Sequence, residues 1–395
     1  MLYAVLKYSP TEPGKRVLIT QGEDGYLDSY VCSSSCTSAA SWYVVSNIGR
    51  VWSTAPVTRY RGFDVDFEKS TGDAILVWGI YDSSEFHDLA FMTMPATKAS
   101  FSGLHYVDDT IMSGDRIFKW VTLRAKPTSS QEMILAGIGT SIAVRNDGLT
   151  MAWVWDGSNF TNQALVSNRT LNANTNSNVK EVVAVEYEIS GGKGFVAASE
   201  TPWSPAATSV TYRYWDGSAW SVKASVPSSA SGNAWLRLKA DPVADNLQLV
   251  ILDSALDLKT SLWDGSSWST TSVDTDVDTI GYRVANFAWN PTGSTGKLVW
   301  DTDSGGTTLS TRTCSPGCTG GTSTISTYAS NGRWVSMTTN PTSGDTVNIL
   351  GLRMNGNGDL GSLSWDGSSF SNYGDAALTA AGSVLVETFS LAFQL

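Results

Sequence analysis

A recurring Trp-Asp-Gly hairpin, short alternating apolar runs that close on Pro turns, and the absence of helical periodicity predict an all-β chain. Repeated four-stranded units of this size describe a β-propeller of seven blades, with an eighth left open. The hairpin reads VWDGSNF, YWDGSAW, LWDGSSW and SWDGSSF, with its first Trp at 155, 215, 263 and 365. The intervals are 60, 48 and 102 residues, the last a double period. Cys314 falls midway through that double interval, so CSPGC takes the place of a hairpin. CSSSC at Cys32–Cys36 lies two periods before Trp155, and MTMPATK is a degenerate copy between them.

A second landmark keeps the same period. LRLKADP, ANFAWNP, VSMTTNP and VLKYSP each end an alternating run on an Xaa-Pro turn. LRLKA, LQLVIL and the segments either side of WDG then give four strands per unit. Units begin near residues 2, 61, 116, 179, 234, 282 and 333, and the whole chain reads as one propeller domain. A single unit cannot cover both faces of its sheet, so neighbouring units stack. Residues 384–395 read as a strand that closes the ring or opens an eighth blade. Two side-by-side sandwiches are the rival architecture, but they need no such regular period.

Composition narrows the function. The chain carries 26 Lys+Arg against 37 Asp+Glu, a net charge of −11, with no basic run, which excludes wrapping nucleic acid. No apolar stretch approaches the roughly 20 residues of a membrane-spanning helix. The apolar start MLYAVL is too short for a secretory signal core. Low charge (16%), 16 Trp and closely paired Cys nevertheless suit a secreted or surface-displayed protein whose signal or anchor lies upstream. Asn159 and Asn168 head Asn-x-Thr sequons.

In LWDGSSW the Asp and Gly make the turn and the flanking Trp residues face one another across it. The hairpin resembles the Asp box of sialidase-type and related extracellular propellers, though Asp and Gly are adjacent here where the Asp box separates them by one residue. The resemblance covers four hairpins. It implies a propeller made outside the cell, and it implies no activity, since Asp boxes are structural in most families that carry them.

The cysteine pairs follow the same logic. Cys32–Cys36 and Cys314–Cys318 are expected to replace the aromatic pair by a disulfide, which implies an oxidising compartment. A four-cysteine zinc site is the rival, and it fails because the pairs fall in blades one and six.

Candidate sites are sparse. The top-face loops are acidic. DTDVD and DTDSGG (Asp274, Asp276, Asp278, Asp301 and Asp303) are the candidate calcium ligands. Position six of an EF-hand alignment is Thr279 and position twelve Ala285, so only a looser site remains. Aligning the first-strand turns puts Arg61, Lys119, Lys180, Arg283 and Arg333 at the start of five innermost strands. Such a ring at the channel mouth would pair with the acidic top loops or hold a carboxylate- or sulfate-bearing glycan. The four repeat-locked Trp are read as core. Trp203, between prolines in TPWSP, is the candidate exposed contact.

No nucleophile elbow or phosphate loop is present, and the chain has two histidines. The sialidase Phe-Arg-Ile-Pro signature is absent, although Arg61, Arg283 and Arg333 leave an arginine triad open. The expected function is a non-enzymatic binding or structural module that engages other surface proteins in adhesion or in a larger surface assembly. The alternatives are a glycan-binding lectin and a sialidase-like glycosidase. Calcium is the one cofactor left open.

Overall fold

The structure is a computed structural model of the 395-residue chain. It describes residues 3–51, 61–80, 87–111, 116–128, 130–141, 148–170, 181–200, 210–229, 233–278, 281–302, 308–326, 332–339, 348–354, 360–366, 368–376 and 389–391. These form seven four-stranded antiparallel sheets, each in simple up-and-down order.

Sheet 1 holds β1 (Tyr3–Tyr8), β2 (Arg16–Gln21), β3 (Tyr26–Cys32) and β4 (Tyr43–Arg50). Sheet 2 holds β5 (Phe63–Phe67), β6 (Ala74–Gly79), β7 (Leu89–Met94) and β8 (Ser102–Val107). Sheet 3 holds β9 (Arg116–Ala125), β10 (Met133–Ser141), β11 (Gly148–Trp155) and β12 (Phe160–Ser167). Sheet 4 holds β13 (Val183–Tyr187), β14 (Gly194–Ser199), β15 (Val210–Trp215) and β16 (Ala224–Ser225). Sheet 5 holds β17 (Asn233–Ala240), β18 (Leu247–Asp253), β19 (Leu258–Trp263) and β20 (Trp268–Asp274). Sheet 6 holds β21 (Ala285–Trp289), β22 (Gly296–Trp300), β23 (Thr308–Cys314) and β24 (Thr322–Ser326). Sheet 7 holds β25 (Gly332–Thr339), β26 (Asn348–Met354), β27 (Leu360–Trp365) and β28 (Phe370–Ala376). The only helical element among the described residues is a 3-10 turn at Ala39–Ser41.

The first strand of each sheet is innermost, and first strands of neighbouring sheets touch. The second strands β6, β14, β18 and β22 are buried throughout. The apolar clusters lie between sheets, so each sheet completes its neighbour's core. Of the tail 384–395, residues 389–391 are described, and Ser390 Oγ accepts the Leu6 amide of β1 at 3.2 Å.

Each WDG hairpin is locked by its Asp. In the turn before β20, Asp264 Oδ1 accepts the amides of Ser266 and Ser267 at 2.9 and 2.8 Å and the Ser266 hydroxyl at 2.7 Å. Gly265 has φ +91°, a conformation that glycine adopts without strain. Asp156, Asp216 and Asp366 make the same bonds. Trp155, Trp263 and Trp365 pair directly with Phe160, Trp268 and Phe370 across the hairpin. At the corresponding ends of β3 and β23, disulfides join Cys32–Cys36 and Cys314–Cys318, with Cα separations of 5.9 and 4.1 Å.

Hydrogen bonding groups the sheets in pairs. β5, β13 and β21 have five residues each, whereas β9, β17 and β25 have ten, eight and eight. The amides of Val121, Leu236 and Val335 reach across to the carbonyls of Arg61, Glu181 and Arg283 at 3.1, 2.8 and 2.8 Å. Sheets 2 and 3, 4 and 5, and 6 and 7 are therefore stitched main chain to main chain.

Candidate functional site

Two cavities stand out: the central channel, and a groove between sheets 6 and 7. The channel has a volume of about 530 Å³ and is lined by inner strands, including β1, β5, β9, β13, β17 and β25. Its charges follow from strand register. In six sheets a backbone amide closes the first turn: Ser9, Glu68, Lys126, Glu188, Asp241 and Asn290. Two residues before these stand Lys7, Asp66, Arg124, Glu186, Lys239 and Ala288. The first five alternate in sign from one sheet to the next, the arrangement of lowest mutual repulsion.

Lys7 Nζ lies 3.3 Å from Asp66, and Arg124 lies 3.5 Å from Asp64. Asp64 and Asp66 also accept the amides of Leu123 and Ala125 of the next sheet. Burial pulls the Lys239 ammonium down to about 7, with Arg237 and Arg124 adding to the effect. Burial likewise lowers Lys7, and Asp66 partly restores it.

Among the described residues, the cations expected at the rim do not stand together as an open ring. Arg61, two residues before β5, lies 3.1 Å from Asp64 of that strand. Arg283 is 1% exposed and lies 3.2 Å from Glu181, which Arg237 also approaches at 2.8 Å. Lys119 is buried and does not line the channel. Arg333 is the second residue of β25, in register opposite Arg353. Lys180 lies outside the described residues. The equivalence of Glu181 with Arg61 and Arg283, set by the paired amide bonds, puts a carboxylate at the sheet-4 position where the sequence alignment puts a cation. For Arg61 and Arg283 the counter-charges are the inner carboxylates Asp64 and Glu181 rather than the acidic top loops.

Of the candidate calcium ligands, Asp274 is engaged through its side chain. Asp274 Oδ2 accepts the Trp300 indole of sheet 6 at 2.7 Å, and its Oδ1 accepts the amides of Thr275 and Asp276 at 2.8 and 3.3 Å. The Asp278 amide bonds the Asp301 carbonyl at 3.2 Å, and Asp301 is fully buried. Asp303 and Trp203 lie outside the described residues. Among the described residues, no group of three or more His, Cys, Asp or Glu side chains that could hold a metal ion lies together.

The groove between sheets 6 and 7 measures about 520 Å³, within the range of small-ligand sites. Register explains why it is open. Ala74, Gly194 and Gly296 sit opposite Met94, Trp215 and Cys314, so Ile75, Phe195 and Lys297 are equivalent. Phe91, Tyr212 and Thr311 are equivalent by the same pairing. Between sheets 2 and 3, Phe91 packs on Trp155 and Phe160, each at 5.4 Å. Ile75 belongs to the same cluster. Between sheets 4 and 5, Phe195 packs on Trp263 at 5.0 Å and Tyr212 on Trp268 at 5.8 Å.

Between sheets 6 and 7 these plugs are replaced by Lys297 and Thr311. Trp365 and Phe370 remain, 4.8 Å apart, and are half-buried where their counterparts are buried. Lys297 Nζ sits 3.9 Å from the Trp365 ring centroid and donates to Thr313 Oγ1 at 3.0 Å. Ser323, Thr324, Ser368 and Ser369 add hydroxyls to the lining. The sequence reading takes Trp365 as core like the other three. The signal it passes over is the charged Lys297 at the start of a buried second strand.

No protein-family model and no curated protein sequence matches the chain. Among solved structures it is similar to the BP39L lectin from Burkholderia pseudomallei, with TM-score 0.60 and 9% identity over 93% of this chain and 97% of that one. It is also similar to the NanB sialidase from Streptococcus pneumoniae (TM-score 0.47, 10% identity, 96% and 85% covered). A third is the Aleuria aurantia lectin (TM-score 0.41, 12% identity, 82% and 98% covered). At these identities the likeness is one of fold, carried by the first of the three.

Proposed function

We propose that this chain is a carbohydrate-binding β-propeller, a recognition module that works outside the cell and catalyses no reaction. The observation that carries the reading is the unplugged interface between sheets 6 and 7. Two equivalent interfaces are filled with aromatic and aliphatic side chains; the third keeps its aromatic wall, loses its plugs and gains hydroxyls. Aromatic rings present an apolar face to sugar C–H groups, and hydroxyls exchange hydrogen bonds with sugar hydroxyls. The resemblance in fold to a propeller that is itself a lectin supports the same reading. So does the pair of disulfides, which form in oxidising compartments.

Arg61 and Arg283 are held by carboxylates, which argues against an arginine triad free to grip a substrate. A glycan array probed with the chain is expected to show binding that Trp365→Ala abolishes while the fold is kept. Turnover of fluorogenic glycosides, or an array with no bound saccharide, would overturn the proposal.

A second reading, attachment within a surface assembly, has its own support. The outer strands β4 and β8 expose Tyr43 (54%), Val44 (47%), Leu104 (47%) and Tyr106 (43%) on open sheet edges. Concentration-dependent self-association, lost in Tyr43→Ser/Leu104→Ser, would favour it.

A further inference from the structure

We infer that the groove between sheets 6 and 7 selects saccharides that carry a carboxylate or sulfate, with the Lys297 ammonium as their counter-charge. The inference rests on the carbohydrate-binding reading and sharpens it to a ligand class. Lys297 is 6% exposed, yet no carboxylate among the described residues lies within 4.0 Å of its nitrogen. Lys7, Lys15, Lys126, Lys193, Lys223 and Lys259 each have a carboxylate at 3.5 Å or closer.

Burying an ammonium is costly unless it is paired. A single hydroxyl and an indole face only partly replace water around it. Burial lowers the Lys297 pKa, and no neighbouring anion offsets the effect. At its place in sheets 2 and 4, the chain uses Ile75 and Phe195, so the scaffold itself does not need a charge there.

An acidic substituent on a sugar supplies what is missing. It would accept charge-assisted hydrogen bonds from Nζ while the ring lies along Trp365 or Phe370 and its hydroxyls meet Thr311, Ser323, Thr324 and Ser369. A neutral saccharide would leave the ammonium unpaired and bind more weakly.

The test is calorimetric titration of the full chain with lactose, 3′-sialyllactose, 3′-sulfolactose and sodium sulfate, at low and high salt. The acidic trisaccharide or the sulfated disaccharide is expected to bind at least tenfold more tightly than lactose, with an advantage that shrinks at high salt. Lys297→Met should erase that advantage, so that lactose and its acidic derivatives bind alike, while Lys297→Arg keeps most of it. Thermal unfolding and circular dichroism establish that each variant folds. Equal binding of lactose and its acidic derivatives, or undiminished acidic binding by Lys297→Met, would overturn the inference and leave the carbohydrate reading standing. Free sulfate binding as tightly as 3′-sulfolactose would overturn it as well, since the aromatic wall would then contribute nothing. If none of the saccharides binds, the carbohydrate reading fails and takes the inference with it.

Discussion

The Trp263 indole Nε1 donates to Glu188 Oε1 at 2.8 Å, from the WDG hairpin of sheet 5 to the inner-strand turn of sheet 4. Glu188 is 1% exposed. Trp155 makes the same bond to Glu68 at 2.6 Å, one sheet pair earlier. The repeat-locked Trp thus fastens one sheet to the preceding one, besides filling its own hairpin. Removing the acceptor alone leaves a buried N–H unpaired, which costs about 1–3 kcal/mol. Glu188→Ala is expected to lower the denaturant midpoint by that amount with the slope unchanged. Glu188→Gln, which retains an acceptor, should lose much less.

Glu181 is the shared partner of Arg237 and Arg283, at 2.8 and 3.2 Å. Its side chain is 4% exposed. Breaking a buried charge network from one side costs about 3–5 kcal/mol, because the remaining charges lose their compensation. Glu181→Gln should therefore be among the most damaging single changes in the chain. Chemical unfolding of the variant measures it. A loss below about 1 kcal/mol would show that the two guanidiniums are satisfied elsewhere.

The WDG turns should respond to acid. Hydrogen bonds from the Ser266 hydroxyl and from the Ser267 and Ser266 amides hold the Asp264 carboxyl at about 2. Asp366 is lowered in the same way, chiefly by the Ser369 and Ser368 amides. A folded pKa below the unfolded value stabilises the fold above about pH 4, and the contribution fades as pH falls toward 2. Asp264→Ala should be less stable than the parent by a constant margin from pH 7 to 5. That margin should narrow as pH falls below 4. A margin that does not change with pH would contradict the assignment.

The channel should respond in the same direction but at higher pH, through a charge that destabilises the fold. Lys239 has a folded pKa of about 7, far below an unfolded lysine. Below pH 7 the lysine is charged in both states and its burial destabilises the fold. Between about pH 7 and 10 the unfolded chain binds the extra proton, so stability gained from this residue rises with pH. Lys239→Met should be stabilising at pH 6, with the difference closing by pH 10. Urea melts across that range read it directly.

The groove should be fillable. Lys297→Phe copies Phe195, which packs on Trp263 between sheets 4 and 5. Filling the cavity and removing a buried charge should together raise stability by about 0.5–2 kcal/mol. Saccharide binding should disappear in the same variant. A stabilised variant that still binds would place the sugar elsewhere.

What the sequence determined by itself is the part of this protein governed by local chemistry. A WDG turn is closed by its own Asp and two following amides, so Asp264 and its three counterparts mark hairpins wherever they fall. Cys32–Cys36 and Cys314–Cys318 bridge over four residues, within reach of the same local geometry. The period between such marks implies sheets that must stack, and the all-β propeller follows. Only tertiary structure decided which residues share a level. A slip of one residue separates Lys180 from Glu181, and it exchanges a cation for the carboxylate that two arginines need. Trp365 has the same local sequence as Trp263, yet Lys297 and Thr311, brought from the neighbouring sheet, leave it open. The physical reason is that a strand fixes its own alternation, whereas the neighbour facing it is set by register between sheets far apart in the chain.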